Sequence, residues 1–216
     1  MFLRMWNVCT REQNYNFGKY LDRGDYFYPP ELPMDGFVMP FSDSPMDREA
    51  VGHQLYLDIL YQAKKYVYIM TPYLIIDDEM ATALSYAAKR GVDTVIIMPH
   101  IPDKKYAFML ARTYYPELIE AGVKIYEYTP GFVHSKTFVS DGEKAVVGTI
   151  NMDFRSQFLH FECGVYLYKT PVIRDIRRDF DETLKRCMPM TMEDCKKLPL
   201  WYRFTGRALR LVAPLM

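Results

Sequence analysis

The chain of 216 residues lacks an excess of charge of either sign, since 27 Lys and Arg residues balance 27 Asp and Glu residues. A neutral chain creates no overall positive field, and this argues against nucleic acid as a partner. Long apolar runs are also missing, because no stretch approaches the roughly 20 apolar residues of a membrane-spanning helix. Charged residues interrupt the opening of the chain throughout, which is not the pattern of a signal peptide.

Cysteine is scarce and scattered along the chain. The four cysteines, Cys9, Cys163, Cys187 and Cys195, show no paired metal-binding spacing. Their use fits a reducing compartment better than a disulfide scaffold, and the sequence predicts neither a bound metal nor a cofactor. Half of the residues are hydrophobic, with 18 Tyr and 13 Phe among them. A chain of this length and composition has room for the sizeable core of one domain.

One short stretch, HSKTFVSDGEKAVVGTIN, concentrates the polar chemistry of the chain. His134 and Lys136 stand two residues apart, so on a strand both side chains would project from the same face. Thr149 and Asn151 repeat that step after a second apolar segment. Asp141, followed by glycine, is a hairpin-turn signal between them. Two paired strands would therefore present an imidazole, an ammonium, a hydroxyl and a carboxamide to one pocket.

This set of side chains is suited to phosphoryl transfer through a histidine. A neutral imidazole attacks the phosphorus of a diester and forms a phosphohistidine, which water or an alcohol then resolves. Lys136 would neutralise the non-bridging oxygens, and Thr149 and Asn151 would donate hydrogen bonds to them as charge develops. A helix expected from Met152 to Gln157 would also direct its first amide groups at the anion.

The two acidic residues near this motif have different expected tasks. Glu162, on the next strand-like segment, is the best candidate to hold the second ring nitrogen of His134, as the aspartate does in a catalytic triad. Asp141 belongs to the motif, and its expected task is to tie the hairpin or bond to the backbone. Taken singly, a strand histidine is usually a satisfied core residue and a lysine is usually solvated. Six residue types at fixed offsets, in a chain with four histidines, favour catalysis instead.

The order H-x-K-x4-D-x6-G-T-x-N resembles the HKD motif of the phospholipase D superfamily. The runs YIMTPYLI, GFVHSK, NMDFRS and FECGV and the tail RALRLVAPLM resemble bacterial cardiolipin synthases in particular, over nearly the whole chain. The resemblance implies a phosphatidyltransferase that converts two phosphatidylglycerol molecules into cardiolipin and glycerol through a phosphohistidine. It also implies a full-length enzyme at the cytoplasmic side of the bacterial cell membrane.

Helical and strand patterns alternate along the chain. With the resemblance, they predict an α/β fold, namely a phospholipase D-like α/β/α sandwich with a mixed central sheet and helices on both faces. The predicted helices run from Asp47 to Lys65, from Asp77 or Asp78 to Arg90, from Lys104 to Glu120 and from Val172 to Cys187. The predicted strands are Tyr66 to Thr71, Thr94 to Met98, Val123 to Tyr128, the hairpin of the motif and Glu162 to Tyr168.

Ligands gather at strand ends in sheets of this kind. We therefore expect Tyr73, Lys104 and Lys105 to contact the substrate at the mouth of the pocket, together with Gly131 and Gly148 beside the motif. The alternative for the run MPHIPDKK is that it forms only a loop and the start of a helix.

Enzymes of this superfamily carry two HKD motifs per active site, and this chain has one, since no other histidine is followed by lysine two residues on. Residues 1–36 are interpreted as a connector from a missing N-terminal half, 37–195 as the catalytic domain and 196–216 as a basic amphipathic tail. The expected partners are phosphatidylglycerol, an anionic membrane surface, and either the N-terminal half or a second copy of this chain.

The tail has two interpretations. It contains no acidic residue, and Arg203, Arg207 and Arg210 fall at i, i+4 and i+7, on one face of a helix. Apolar residues such as Trp201 and Leu209 take the other face. A basic and aromatic amphipathic helix suits an anionic membrane surface, while a terminal helix packed on the domain, or on the missing half, fits the same pattern.

Three other functions stand beside the synthase. A phosphodiesterase or nuclease built as a homodimer of one-motif chains is disfavoured by the neutral charge. A phospholipase D or phosphatidylserine synthase differs in the acceptor alcohol alone, which the sequence does not fix. A non-catalytic half that binds anionic lipid is disfavoured because His134 and Lys136 are both intact.

Overall fold

The computed structural model describes residues 2–11, 18, 35–47 and 49–213. Its contacts divide the chain into two units, Met1–Asp35 and Gly36–Met216. The first unit contains helix α1 (Phe2–Thr10), and the second contains all the other described elements. In the described ranges no helix combines the length and the apolar character needed to cross a bilayer.

The second unit is built from ten strands and seven helices among its described residues. The strands are β1 (Phe37–Asp43), β2 (Tyr66–Met70), β3 (Leu74–Ile75), β4 (Asp93–Pro99), β5 (Lys124–Tyr128), β6 (Thr137–Ser140), β7 (Lys144–Gly148), β8 (Met152–Asp153), β9 (Glu162–Tyr168) and β10 (Cys187–Pro189). The helices are α2 (Val51–Gln62), α3 (Asp78–Lys89), α4 (Lys105–Ala111), α5 (Tyr115–Glu120), α6 (Val172–Leu184), α7 (Met192–Lys197) and α8 (Leu200–Arg210). A π-helical segment covers Arg155–Leu159.

Eight of the strands form one mixed sheet in the order β1-β9-β7-β6-β2-β4-β5-β10. The three central strands β2, β4 and β5 run parallel, and the other neighbours are antiparallel. The short strands β3 and β8 pair with each other in parallel. The predicted mixed sheet is therefore confirmed.

The side chains of successive β2 residues point to opposite faces of the sheet, as the two-residue period of a strand requires. Val67 and Ile69 join the larger buried cluster, which contains the inner faces of α2, α3, α4 and α5. Tyr68 and Met70 join the smaller cluster, which contains Ile173 and other residues of α6. Helices thus cover both faces of the sheet, and the predicted α/β/α sandwich is correct.

Prolines explain two differences from the predicted elements. The single helix expected from Lys104 to Glu120 is two helices, α4 and α5, because Pro116 has no N–H to donate and is accommodated in the first turn of α5. Strand β1 was not predicted, and it contains Pro40. Proline is tolerated there because β1 lies at an edge of the sheet and pairs with β9 alone.

The predicted hairpin joins β6 to β7. Asp141 and Gly142 both have positive φ angles, of 55° and 72°, as a tight turn between strands demands. The Asp141 carboxylate also accepts hydrogen bonds from the backbone amides of Lys64, Lys65 and Tyr66 at 2.8, 2.8 and 2.9 Å. The turn is thereby fixed to the start of β2.

A buried ion pair fixes the other end of the sheet. Glu127, on β5, is fully buried, and its carboxylate accepts hydrogen bonds from Arg112 Nε at 3.0 Å and from Arg112 Nη2 at 2.7 Å. His100 Nδ1 lies 2.8 Å from the same carboxylate, and the Tyr115 hydroxyl donates to it at 3.3 Å. Removal of one partner from a buried carboxylate is strongly destabilising, because it leaves the buried charge uncompensated.

We expect Arg112→Ala to lower the free energy of unfolding by roughly 3–5 kcal/mol, because it leaves the buried Glu127 charge without its main partner. Chemical denaturation measures the loss. The matched control is Arg178→Ala, which breaks an exposed ion pair of the same 2.7 Å length with Asp175 and should cost less than about 1 kcal/mol. Equal losses in the two variants would show that burial does not set the cost.

Candidate active site

A cavity of about 730 Å³ opens at the end of the β6–β7 hairpin that lies away from its turn. His134 and Lys136 directly precede β6, and Thr149 and Asn151 directly follow β7. The two strands are antiparallel, with Ser140 opposite Lys144 beside the turn and Thr137 opposite Val147 at the other end. The start of β6 and the end of β7 therefore meet at one edge, and all four predicted site residues line the cavity.

The local structure differs from the expectation in two places. His134 and Lys136 lie in an extended segment before β6 and not on a strand. This segment is held by the Gly148 amide, which donates to the Lys136 carbonyl at 3.2 Å, and by Lys136 Nζ, which donates to the His134 carbonyl at 2.6 Å. The helix expected from Met152 to Gln157 is wrong, because Met152–Asp153 pairs with β3 and the helical turns that follow are π-helical.

Buried side chains lie on both sides of the accessible ones in the motif segment. Val133 and Lys136 are buried, whereas His134 and Ser135 between them are exposed. The His134 ring lies beside that of Phe132, with ring centroids 5.6 Å apart and planes tilted by 30°. The backbone is thus fixed on both sides of an imidazole that faces the cavity. A nucleophile or general acid requires this access to its substrate.

Glu162 joins the polar residues behind the cavity into one network. The Thr149 hydroxyl donates to one carboxylate oxygen of Glu162, and the Ser156 hydroxyl donates to the other at 2.9 Å. Asn151 Nδ2 donates to the Ser156 hydroxyl at 2.9 Å, and the Cys163 amide donates to Thr149 Oγ1 at 3.0 Å. Glu162 therefore orients the anchors of the site.

The hydrogen bond expected between Glu162 and His134 is not among the contacts of the described residues. Each oxygen of the carboxylate is instead occupied by a hydroxyl group, from Thr149 or Ser156. The other imidazole lining the cavity, that of His160, has Nδ1 3.8 Å from Glu162 Oε1, which is too long for a hydrogen bond.

Burial and neighbouring charge alter two ionisable groups of the cavity. Burial lowers the pKa of Lys136, while the nearby carboxylates of Glu162 and Asp153 act in the opposite direction. Burial also raises the pKa of Asp153, and the charge of Glu162 adds to that effect. Lys104 and Arg155 line the same space, so three cations and two carboxylates surround it. The two carboxylates do not balance the three cations. A bound phosphate would add negative charge beside Lys136 and favour its ammonium form.

One polar atom in the site has no protein partner in the part of the chain that the structure describes. Asn151 Oδ1 is buried and accepts no hydrogen bond, although Asn151 Nδ2 is bonded to Ser156. Buried polar atoms are normally satisfied. The unsatisfied Asn151 carbonyl oxygen is therefore an exception to this rule among the described residues of the site.

The cavity gathers most of the predicted site residues but not all of them. The substrate-contact candidates Tyr73, Lys104 and Gly148 line it, whereas Gly131 and Lys105 do not. Lys105 starts α4, and its exposed neighbour Tyr106 occupies the cavity wall instead.

Asp141, predicted with the catalytic residues, also lies outside the cavity. It sits at the turn, at the opposite end of β6 from Lys136, and its carboxylate is saturated by backbone amides. These hydrogen bonds agree with the structural task expected of Asp141, and its assignment to the catalytic residues stays a prediction that its distance from the cavity does not favour.

Gly148 meets a packing requirement in addition to lining the cavity. A Cβ at this position would come within 2.5 Å of the Cys163 carbonyl oxygen and 2.7 Å of Gly164 Cα on β9. Real Cβ atoms do not approach backbone so closely, so any side chain would push β7 and β9 apart. Gly148 is needed for the close approach of these two strands.

Seven polar residues of the cavity were not predicted from the sequence. Three of them, Asp153, Arg155 and Ser156, belong to the run NMDFRS that starts at Asn151, so proximity to the motif was the available signal. The others are Tyr106, Ser135, Thr137 and His160. His160 and Tyr106 come from segments whose approach to the motif depends on the tertiary fold.

Known proteins are similar to this chain in sequence and in fold. The family described as "Cardiolipin synthase, PLD-like domain" matches residues 56–184. The chain is 53% identical over its full length to an uncharacterised protein of Streptococcus mutans, of which it covers 46%. It is 38% identical over its full length to the cardiolipin synthase of Geobacillus kaustophilus, of which it covers 42%. The solved structure of Nuc, a phospholipase D family member from Salmonella typhimurium, aligns with a TM-score of 0.61 at 18% identity, over 72% of this chain and 99% of that one.

The mixed sheet, the two helical layers and the motif at the end of the hairpin define a phospholipase D-like domain. With residues 56–184 matched, the chain belongs to the family of phospholipase D-like domains of cardiolipin synthases. It spans less than half the length of the curated relatives it matches.

We expect Asp153→Asn to raise the midpoint of thermal unfolding at pH 7. Because burial raises the pKa of Asp153 in the folded state, the folded chain binds this proton more tightly, and stability is lost as pH rises through the folded pKa. Asparagine avoids that loss and keeps an acceptor for the Ser156 amide, which donates to Asp153 Oδ1 at 2.8 Å.

The gain should vanish at pH values below the ordinary aspartate pKa of 3.8, where Asp153 is protonated in both states. Asp47→Asn is the matched control, since its exposed carboxylate also accepts a backbone N–H, from Glu49 at 3.2 Å. The raised folded-state pKa of Asp153 would be contradicted by a gain at pH 7 that persists unchanged in acid. A gain that also occurs in the control would contradict it as well.

Proposed function

We propose that this chain supplies one HKD half-site of a cardiolipin synthase, which joins two phosphatidylglycerol molecules into cardiolipin and releases glycerol. The observation that carries the proposal is the convergence of His134, Lys136, Thr149 and Asn151 on one open cavity, in a chain of the cardiolipin synthase family. The 38% identity to a cardiolipin synthase along the full length of this chain supports the same reaction.

The reaction proceeds through a phosphohistidine. A ring nitrogen attacks the phosphorus of one phosphatidylglycerol, the bond from phosphorus to the glycerol oxygen breaks, and the glycerol leaves with a proton from a general acid. The hydroxyl of a second phosphatidylglycerol then loses its proton to the same group and attacks the phosphorus, which frees the histidine. In a site with two HKD motifs one histidine is the nucleophile and the other carries the proton, and His134 fills one of these two roles.

The other cavity residues stabilise charge on the phosphate. Lys136 is buried next to two carboxylates, and in a desolvated site its ammonium interacts strongly with the non-bridging oxygens. Thr149 and Asn151 border the cavity, where their hydrogen bonds to Glu162 and Ser156 orient them before substrate binds. The Thr149 hydroxyl must release Glu162 before it can donate to a phosphate oxygen. Lys104 and Arg155 are placed to bind the rest of the headgroup.

A complete site needs a second HKD motif. This chain has one motif and spans 42% of the length of the Geobacillus kaustophilus enzyme. We propose that the second motif comes from the remainder of a longer protein or from a second copy of the chain, with residues 1–36 as a connector. We further propose that the full-length enzyme works at an anionic membrane surface, on the cytoplasmic side of the bacterial cell membrane.

The test is formation of cardiolipin from labelled phosphatidylglycerol vesicles. We expect turnover by this chain mixed with the part of the Geobacillus kaustophilus enzyme that it does not cover, or by the chain alone when it pairs with itself. His134→Ala should reduce turnover by at least about 10³-fold, because removal of one member of a catalytic unit disables the unit.

His160→Ala is the matched control, since it removes the other imidazole that lines the same cavity. It should retain measurable cardiolipin formation, and an equal loss in both variants would contradict the choice of His134. Release of phosphatidic acid in place of cardiolipin would identify a hydrolase. Absence of any product from the complemented mixture would refute the synthase.

A further inference from the structure

Helix α8 is packed on the domain along one face. Gly206 is buried there, and a Cβ at this position would lie 2.5 Å from Thr113 Cγ2 and 3.2 Å from the Met109 carbonyl oxygen. Arg210 Nε and Nη2 donate to the hydroxyl and carbonyl oxygens of Thr113, each at 2.9 Å. Its guanidinium lies 3.9 Å from the centre of the Tyr114 ring. The packed alternative for the tail is therefore correct for this face.

The opposite face of α8 is apolar and uncovered in the part of the chain that the structure describes. The exposed fractions are 79% for Leu200, 64% for Trp201, 77% for Phe204 and 86% for Leu211. These four residues, here called the α8 outer face, fall on one side of a helix with 3.6 residues per turn. Large apolar side chains exposed singly are ordinary, but a contiguous group of them marks an interaction surface.

Basic residues lie beside the α8 outer face and on the helix before it. Arg207 is exposed on its flank, one turn from both Phe204 and Leu211. Lys196 and Lys197 are exposed on the preceding α7, where Lys197 forms an ion pair with Asp194 at 3.1 Å. No Asp or Glu occurs between Cys195 and Met216. Apolar side chains at the centre with cations at the side fit an occupant that is apolar inside and anionic at its surface.

Helix α8 reaches the wall of the cavity through its packed face. Tyr106 and Ala107, in the first turn of α4, line the cavity, whereas Met109 of α4 and Thr113 just after it contact the packed face of α8. Helix α4 therefore lies between the cavity and α8, and the α8 outer face lies on the far side of both helices.

We propose that the α8 outer face inserts into the interface of an anionic lipid bilayer and attaches the domain to the membrane surface. A bilayer offers acyl chains for Leu200, Trp201, Phe204 and Leu211 and phosphate headgroups for the flanking cations, as amphipathic interfacial helices require. The inference rests on the proposed function in the choice of phosphatidylglycerol as the lipid.

Tryptophan fluorescence tests the proposal directly. The chain has two tryptophans, Trp6 and Trp201, so Trp6→Phe leaves a single reporter on the α8 outer face. In a His134→Ala background, which removes turnover, phosphatidylglycerol vesicles should shift the Trp201 emission to the blue, and brominated lipids should quench it. Phosphatidylcholine vesicles should give a much smaller shift, because the cations contribute attraction only to anionic lipid.

Leu200→Ser combined with Phe204→Ser should lower the partition coefficient for phosphatidylglycerol vesicles by at least about 10-fold, since it removes two large side chains from the contact. The matched control combines Met46→Ser with Val172→Ser, two exposed apolar residues outside the tail, and should bind like the parent. Arg207→Glu should weaken binding at low salt more than at high salt.

Four outcomes would overturn the proposal. These are no shift with phosphatidylglycerol, an equal shift with phosphatidylcholine, full binding by the Leu200 and Phe204 variant, or a shift that follows protein concentration without lipid, which would indicate a protein interface. Lipid binding and cardiolipin formation are measured independently of each other. Lost lipid binding with intact cardiolipin formation refutes the docking face alone, and intact binding without cardiolipin formation refutes the proposed reaction alone.

Discussion

The antiparallel register of β6 and β7 is the constraint on which the site depends. It brings the segment before one strand and the segment after the other to a single edge of the sheet, so that the imidazole and ammonium face the hydroxyl and carboxamide across one cavity. Two contacts maintain that register. Asp141 attaches the turn to β2, and Gly148 lets β7 lie directly against Gly164 of β9. A slip of one residue would turn every side chain of the strand to the wrong face.

Two charged side chains, Glu162 and Lys136, are buried behind the cavity. Glu162 is satisfied by two hydroxyl groups and not by a cation, while the buried ammonium of Lys136 lies close to two carboxylates. Hydroxyl groups cost less to bury than charges and still fix the carboxylate. The Lys136 ammonium thus makes no direct bond to Glu162 and donates instead to the His134 carbonyl, at 2.6 Å.

The sequence predicted what depends on local periodicity and on the motif. The boundaries of β9 agree with the expectation, those of β2 and β4 agree within one residue, and Asp77 caps α3 through a hydrogen bond from the Met80 amide. The sequence did not predict the elements whose formation depends on partners distant in the chain. The edge strand β1, with Pro40 inside it, forms because β9 supplies its pairing.

The same division holds for the site residues. His134 and Lys136 were evident from spacing, but the partner of Glu162 was not, because Ser156 reaches it only through the π-helical turn after β8. His160 and Tyr106 carry no spacing signal relative to the motif. Their place in the cavity follows from the packing of α4 and of the segment before β9.

The attachment of Asp141 to the start of β2 has a consequence for how the protein folds. Its three hydrogen bonds join residues 75 to 77 positions apart in the chain. A hairpin such as β6–β7 closes within microseconds, but linking it to β2 requires the ordering of a long intervening segment, and contacts of this range slow folding. We therefore expect the cavity to form together with the whole sheet. Partly folded chains would contain the motif without its arrangement around the cavity.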